Sequence, residues 1–228
     1  MLFRSASGID EALRQVIAVG GDLDEAALLD NFSWADTSEP SQLGSLVLAA
    51  KACYDYAMAF GTPFISGKDS LHNSFNAGNE IISIPPTLLI SVLSVLDDLT
   101  RVRSMDLKEA GNSLYLIGLT REELGGSHYH LVHKLATGGE VPDVDRGTAP
   151  KFMKAMGELN KAGLLRSIHD LSEGGLAVAA AEMAFAGELG ADISLDDIPV
   201  REKLTVQAAL YSESNTRWLA EVAPNNEK

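Results

Sequence analysis

Apolar positions recur along the chain with helical spacing in some segments and cluster into short runs in others. In the first segment Ile9, Leu13, Val16 and Ile17 share one helical face, and Gly20-Gly21 follows them. We therefore predict a helix over 8–19. By the same criteria we predict helices over 42–60, 149–162, 173–186 and 200–210, a short helix within 121–135, and strands over 26–32, 62–66, 87–96, 113–119, 164–168, 191–195 and 217–222. Such alternation is typical of an α/β or α+β fold with mixed sheets.

The composition changes after the apolar run 87–96. Asp97-Asp98-Leu99-Thr100-Arg101 is polar and charged, and a new alternation of strands and helices begins beyond it. We therefore predict a linker near these residues, between two domains.

One stretch concentrates residue types that phosphate and magnesium chemistry needs. A predicted strand ends in Gly67-Lys68-Asp69-Ser70, which we expect to form a loop. There Gly67 lets a ligand approach the backbone, Lys68 offers a positive charge, Asp69 can hold a divalent cation and Ser70 supplies a hydroxyl. A P-loop would need a glycine where this chain has Thr62. The alternative is an ordinary turn with a surface lysine.

A second polar stretch follows the predicted strand 164–168 and begins an alanine-rich helix. Ser172 is a suitable N-cap, and Gly174-Gly175 lets a ligand or another backbone come close. Free amides at a helix N-terminus bind anions, and Asp170 adds a carboxylate suited to a metal. The alternative is a capped helix packed tightly through its glycines, with His169 hydrogen-bonded inside.

Two further polar groups lie where predicted elements end. The predicted strand 26–32 delivers Asp30 and Asn31 to its end. The sequence at 211–215 combines hydroxyl, carboxylate and amide side chains between a helix and a strand, and it is equally consistent with a turn. These groups are secondary candidates for binding.

Composition narrows the function classes. A chain of 228 residues with 46% hydrophobic residues can bury a substantial core. No apolar run is long enough to span a membrane, the N-terminus does not resemble a secretory signal, and the single Cys53 suits a reducing compartment. We therefore expect a cytoplasmic protein with no membrane partner. The formal charge of −14 argues against nucleic-acid binding, so anionic ligands must be held by local groups.

Taken together, these motifs resemble those of the phosphoribosylformylglycinamidine synthases, which belong to the aminoimidazole ribonucleotide synthetase superfamily. The resemblance covers nearly the whole chain, which corresponds to the second half of the synthetase. The motifs are Ala18-Val19-Gly20-Gly21, Leu28-Leu29-Asp30-Asn31-Phe32-Ser33-Trp34, Gly61-Thr62-Pro63, Gly67-Lys68-Asp69-Ser70-Leu71, Pro85-Pro86-Thr87-Leu88-Leu89-Ile90-Ser91, His169-Asp170-Leu171-Ser172-Glu173-Gly174-Gly175-Leu176 and Ser212-Glu213-Ser214-Asn215.

The resemblance implies a fold and a division into domains. Residues 1–98 correspond to the C-terminal part of a nucleotide-binding half-barrel domain, and residues 104–228 to an α/β partner domain that stops before its closing strands. In the family the first half of the synthetase carries the catalytic histidine. The resemblance therefore implies no catalytic residue in this chain and a fragment that is inactive alone. Its exposed strand edges predict self-association.

The implied reaction is the conversion of formylglycinamide ribonucleotide, glutamine-derived ammonia and ATP to formylglycinamidine ribonucleotide. ATP or ADP and Mg²⁺ are the implied cofactors, and a glutaminase and the remaining half of the synthetase are the implied partners. The alternative function is a noncatalytic nucleotide-binding or assembly module of the same fold.

We select the candidate site residues from the chemistry of the motifs and from the resemblance to the family. Gly67 lies where the family contacts ATP, and Lys68 stands where many members have a magnesium-ligand asparagine. Asp170 and Ser172 match a magnesium ligand and a nucleotide contact of an auxiliary site. The predicted roles are nucleotide or phosphate binding for Gly67, Lys68, Ser172, Gly174 and Gly175, substrate binding for Ser70, and metal binding for Asp69, Asp170 and Asn31.

Overall fold

A computed structural model of the chain describes residues 2–135 and 138–226 and shows a mixed α/β architecture. The helices are α1 (Leu2–Ala18), α2 (Pro40–Phe60), α3 (His128–Val132), α4 (Ala149–Lys161), α5 (Gly175–Gly187) and α6 (Val206–Tyr211). The strands are β1 (Ala26–Ser33), β2 (Phe64–Ser70), β3 (Ser74–Asn76), β4 (Ile81–Ser83), β5 (Thr87–Ser94), β6 (Ser113–Ile117), β7 (Leu165–Asp170) and β8 (Trp218–Val222). Four short 3-10 turns lie at Leu23–Glu25, Leu99–Arg101, Leu195–Asp197 and Pro224–Asn226.

The first sheet has the order β2-β1-β5 and is mixed, because β1 pairs parallel to β2 and antiparallel to β5. Helix α2 connects the two parallel strands, beginning with Pro40 and ending at Gly61 in the left-handed region. One face of the sheet packs on the core through Leu88, Ile90 and Val92 of β5. The other face is open, since the alternate residues of β5 are exposed.

The second sheet is antiparallel and has the order β6-β8-β7. All five residues of β8 are buried, as expected for its central strand. On one side lies a hydrophobic cluster with α5, which includes Leu171, Leu176, Met183 and Leu219. The short hairpin β3-β4 lies outside both main sheets.

Helix α1 lies between the two halves of the molecule. It contacts α2 and β5 on one side and α4 and β7 on the other. Its apolar face, which includes Ile9, Leu13 and Ile17, belongs to a cluster shared with Met153 and Trp218. Residues of both predicted domains therefore contribute to one hydrophobic core, and the boundary near 97–101 stays a prediction.

Most predicted elements are present, with shifted ends. Helix α1 begins six residues before the predicted start, because the buried face continues back through Ala6 and Ser5. The predicted strand 191–195 is wrong: the segment is irregular and enters a 3-10 turn, and Leu195 packs on the α5 cluster without pairing to a strand. The predicted helix 200–210 is largely wrong as well, since α6 covers only Val206–Tyr211.

None of the helices among the described residues has the length and apolar character that crossing a membrane would require.

Candidate functional site

The first candidate stretch, Gly67 to Ser70, lies in β2 and not in a loop as predicted. Strand β2 continues to Ser70 because its backbone pairs with β1 as far as Ser33. Asn31 of β1 lies beside Lys68 on one flank and beside Leu89 on the other, and Leu89 is exposed on the open face of the sheet. The alternation of a strand therefore places Asn31, Lys68 and Ser70 together on the open face.

Two of the polar side chains on the open face contact each other directly. The Lys68 Nζ donates a hydrogen bond of 2.7 Å to Ser70 Oγ. The Asn31 Oδ1 atom is buried and has no hydrogen-bond partner among the described residues. An unpartnered oxygen beside an ammonium and a hydroxyl can accept a ligand donor or contribute to cation binding.

Asp69 lies on the opposite face of the sheet from Lys68. It is beside Phe32, whose side chain belongs to the core. Burial raises the pKa of the neighbouring Asp30, and the Asp69 carboxylate raises it further. A Cβ atom on Gly67 would overlap the Asp30 carboxylate, so the glycine makes room for that side chain. Lys68 and Ser70 therefore lie on the open face of the sheet, whereas Gly67 and Asp69 lie on the face that packs on the core.

The second candidate stretch forms the N-terminus of α5. Gly174 is the N-cap, with φ of 75°, and no side chain among the described residues caps the helix, so the prediction of Ser172 as the cap is wrong. The Gly174 N–H donates to Glu213 Oε1 at 3.0 Å, so a protein carboxylate already uses one of the amides predicted to be free. Gly175 has φ of 60°, and a Cβ there would overlap the Ser212 carbonyl. Close backbone packing explains Gly175.

Asp170, at the end of β7, is 6% exposed and has an unusual environment. Its Oδ2 atom is buried and accepts no hydrogen bond among the described residues, and Arg14 Nη1 lies 3.9 Å from it. On its other side His169 Nδ1 lies 3.6 Å from Asp170 Oδ1. The Asp170 and Glu182 carboxylates hold the pKa of His169 above its ordinary value, against the lowering effect of burial.

Sequence reasoning missed the charged residues of α1 that surround Asp170. Arg14 donates to the Leu171 carbonyl and pairs with Asp10. Burial raises the pKa of Glu11, the Arg14 charge lowers it, and the Glu173 and Asp170 charges raise it. A sequence signal existed, since Asp10 and Arg14 lie four residues apart beside the apolar positions of the same helix.

The polar residues at 212–217 also have structural partners. Asp10 accepts hydrogen bonds from the Thr216 backbone N–H and hydroxyl, and Asn215 Nδ2 donates to Ser7 Oγ at 2.9 Å. Arg217 is fully buried and donates to Thr120 Oγ1 and to the Ser214 carbonyl. Burial lowers the pKa of Arg217 to about 9, with a smaller contribution from Arg14. This stretch anchors α1 to the second sheet.

The two candidate stretches do not contact each other through polar groups. In residues 2–135 and 138–226, no hydrogen bond or salt bridge joins Lys68 or Asp69 to Asp170 or Ser172, and α1 lies between the sheets that carry them. The same residues contain no group of three or more histidine, cysteine or acidic side chains placed to hold a metal ion. Any bound Mg²⁺ would need oxygen atoms from its ligand or from water.

Comparison with known proteins identifies relatives over nearly the whole chain. The phosphoribosylformylglycinamidine synthase subunit PurL of Deinococcus radiodurans is 36% identical over 224 residues, which cover 96% of this chain and 29% of that protein. The same subunit of Alkaliphilus metalliredigens is 32% identical, with 97% of this chain and 29% of that protein covered. The chain therefore spans less than a third of the length of these relatives.

Solved structures share the fold at lower sequence identity. Thermotoga maritima PurL complexed with FGAR superposes with a TM-score of 0.75 and 22% identity, covering 97% of this chain and 35% of that one. The hydrogenase maturation protein HypE in complex with ATP gives a TM-score of 0.65 and 15% identity, covering 98% of this chain and 64% of that one. Residues 109–228, more than half of the chain, match the family described as AIR synthase related protein, C-terminal domain. The chain therefore belongs to the AIR synthase related family and corresponds to a PurL-like segment of it.

Proposed function

We propose that this chain is part of an ATP-dependent ligase that converts formylglycinamide ribonucleotide, glutamine-derived ammonia and ATP to formylglycinamidine ribonucleotide. The proposal rests on the PurL relatives and on the fold shared with PurL complexed with FGAR. A chain that covers 29% of its relative supplies only part of such an enzyme. Alone it is inactive, and it requires the remaining half of the synthetase and a glutaminase that delivers ammonia.

The observation that carries a nucleotide site in this chain is the unpartnered oxygen of Asp170, which ends β7 four residues before the N-cap of α5. Burying a charged oxygen without a hydrogen bond is costly, so such an atom favours a ligand that satisfies it. Glu11, Glu173 and Asp10 add negative charge around Asp170 and Arg14, which suits a further cation, and the helix N-terminus suits a phosphate. These residues fit a nucleotide bound with Mg²⁺.

In this proposal Asp170 holds the cation, while Ser172, Gly174 and Gly175 lie along the nucleotide phosphates. Bound Mg²⁺ neutralises charge on the phosphoryl oxygens. The Gly174 amide becomes available when the Glu213 carboxylate moves away, because that carboxylate occupies the same donor.

The residues on the open face of the first sheet have proposed roles of their own, distinct from those at the N-terminus of α5. Lys68 binds phosphate oxygens, Ser70 contacts the formylglycinamide ribonucleotide, and Asn31 contributes its unpartnered oxygen to cation binding. Asp69, on the other face, binds a cation only together with Asp30 and in a different site. Gly67 contacts ATP through its backbone only, because the Asp30 carboxylate occupies the space where a side chain would lie.

Complementation tests the ligase proposal. ADP release that depends on ammonia and formylglycinamide ribonucleotide is measured with this chain alone, with a polypeptide that supplies the part of a PurL relative that this chain does not cover, and with both. We expect activity only in the mixture. No activity in any mixture that forms a complex would contradict the ligase role and favour a noncatalytic nucleotide-binding or assembly module.

Calorimetry tests the nucleotide site separately. We expect ADP with Mg²⁺ to bind, and Asp170→Asn and Lys68→Ala each to weaken binding at least about tenfold, or about 1.4 kcal/mol. Asp192→Asn and Lys151→Ala, at exposed positions, are the matched controls. Unchanged affinity in Asp170→Asn would show that the α5 N-terminus is not the nucleotide site, and unchanged affinity in Lys68→Ala would exclude the open sheet face.

A further inference from the structure

A small pocket on the second half of the chain is lined by cationic side chains. Its volume is about 330 Å³, and its walls are Val102, Arg103, Ser104, Lys108, Gly163, Leu165 and Arg166. Three of the seven residues are Lys or Arg and none is acidic. The whole chain has 18 Lys and Arg against 32 Asp and Glu, so this local excess of positive charge runs against the overall composition.

Arg166 projects at an irregularity of β7. The pairing of β7 with β8 passes from Leu165 to Ser167, which leaves Arg166 as an extra residue in the strand. Such bulges redirect a side chain from the regular alternation. Arg166 is exposed and makes no hydrogen bond or salt bridge in the part of the chain that the structure describes. Its guanidinium is therefore available to a ligand.

Arg103 is held in place by carbonyl groups. Its Nε donates to the Leu165 carbonyl at 3.0 Å, and its Nη1 donates to the carbonyls of Thr100 and Val102 at 3.0 and 3.1 Å. None of these partners is a carboxylate, so its positive charge is not neutralised by them. A guanidinium fixed in this way loses little conformational entropy when it binds an anion.

Two carboxylates lie near the third cation, Lys108. Asp106 Oδ1 is 2.6 Å from Lys108 Nζ, which also donates to Ser104 Oγ at 2.7 Å. The buried Glu221 carboxylate accepts bonds from the backbone N–H groups of Lys108 and Glu109, from Asn112 and from Ser167. The hydrogen bonds of Glu221 are therefore made to these groups and not to the cations of the pocket. Within the described residues, only Lys108 of the three cations is partly neutralised, by Asp106.

We propose that this pocket binds a phosphate group, either as free phosphate or as a small phosphomonoester. Two guanidinium groups and an ammonium match the charge of phosphate and can donate hydrogen bonds to its oxygens. The volume lies at the lower end of the range for small-molecule sites, about 300–1,000 Å³. Arg166 and Asp170 lie at opposite ends of β7, roughly 13 Å apart at the rise of a strand, so the pocket is separate from the α5 N-terminus.

Titration followed by amide NMR tests the proposal on the whole chain. Inorganic phosphate and glycerol 3-phosphate are added separately at constant ionic strength, and the shifts of the Ser104 and Gly163 amides are followed. We expect saturable shifts at these amides. Tighter binding of glycerol 3-phosphate would identify a phosphomonoester as the ligand, and equal or tighter binding of phosphate would identify the free anion.

Charge variants show whether the pocket itself is responsible. Arg166→Gln is expected to weaken binding about tenfold, while Arg4→Gln, at an exposed position with the same change in net charge, leaves it within about twofold. Asp106→Asn is expected to strengthen binding, because it removes the competing carboxylate from Lys108. The absence of saturation up to roughly 10 mM, or equal weakening by Arg166→Gln and Arg4→Gln, would overturn the proposal.

Discussion

Asp10 and Arg14 form an ion pair within α1, with 2.6 Å between Asp10 Oδ2 and Arg14 Nε, and both side chains are almost fully buried. The pair joins separate parts of the chain, because Asp10 also binds Thr216 and Arg14 also binds the Leu171 carbonyl. Helix α1 is thereby connected through polar groups to both β7 and β8. This arrangement makes the position of α1 relative to the second sheet specific.

Removing one partner of this buried pair should be strongly destabilising. We expect Asp10→Ala to lower the free energy of unfolding by about 3–5 kcal/mol, because Arg14 is left buried near Arg217 with only the more distant Asp170 carboxylate, and Thr216 loses its acceptor. Urea unfolding measures the change. The control is Lys51→Ala, which breaks a helical pair whose lysine is exposed and which should cost less than about 1 kcal/mol. Equal losses in both variants would contradict a special role for the buried pair.

The close approach at Gly175 predicts a difference between two glycines in the left-handed region. Gly175→Ala adds a Cβ that overlaps the Ser212 carbonyl, whereas the Cβ of Gly61→Ala meets no atom of residues 2–135 or 138–226 within 4 Å. Both substitutions carry the backbone strain of about 1–2 kcal/mol. We expect Gly175→Ala to cost clearly more than Gly61→Ala in thermal or urea unfolding, and a smaller loss at Gly175 would show that the two segments move apart easily.

His169 predicts a pH dependence of stability. Because its pKa in the folded protein is raised above the ordinary value of 6.5, protonated His169 stabilises the fold, fully so below that value. This contribution is lost as the pH rises through the raised pKa. We expect His169→Gln to remove this part of the pH dependence, which lies above pH 6.5.

The measurement for His169 is urea unfolding across that pH range. The control is His133→Gln, which changes an exposed histidine in another part of the chain. A profile of His169→Gln that superposes on the unchanged protein would show that the neighbouring Asp170 and Glu182 carboxylates do not stabilise the imidazolium.

The open face of the first sheet predicts association. Leu89 and Leu93 of β5 are 58% and 57% exposed on this face, and Ile65 of the neighbouring part of the sheet is 57% exposed. Exposed apolar side chains of this kind favour burial against another surface, and we expect a second copy of the chain to cover them when no other partner is present. Sedimentation velocity over micromolar concentrations should show reversible oligomers.

A substitution on the open face should distinguish association through that face from nonspecific association through other exposed apolar residues. Leu93→Lys is expected to shift the chain towards monomer, because it places a charge on the surface that would be buried. Phe185→Lys changes a residue of α5 that is 80% exposed and should have little effect. A monomer at all concentrations for the unchanged protein would refute the prediction.

Local sequence patterns determined much of the fold. The apolar spacing of α1, the long apolar run of α2 and the β-branched run of β5 are visible without tertiary information, because each element must bury one face. The motif set was also sufficient to indicate the family, which the match over residues 109–228 confirmed. The pattern-based prediction of a strand over 191–195 was wrong, because Leu195 packs on the α5 cluster and the segment pairs with no strand.

Tertiary structure alone decided how the polar residues are combined. The sequence places Lys68 and Asp69 next to each other, but pairing of β2 with β1 extends the strand through them and sends them to opposite faces. The partners of Asp170 on α1 and the pocket between Arg103 and Arg166 join residues far apart in the chain. The sequence by itself determined which elements form, since their periodicity is local, whereas strand register and helix packing decided which side chains meet.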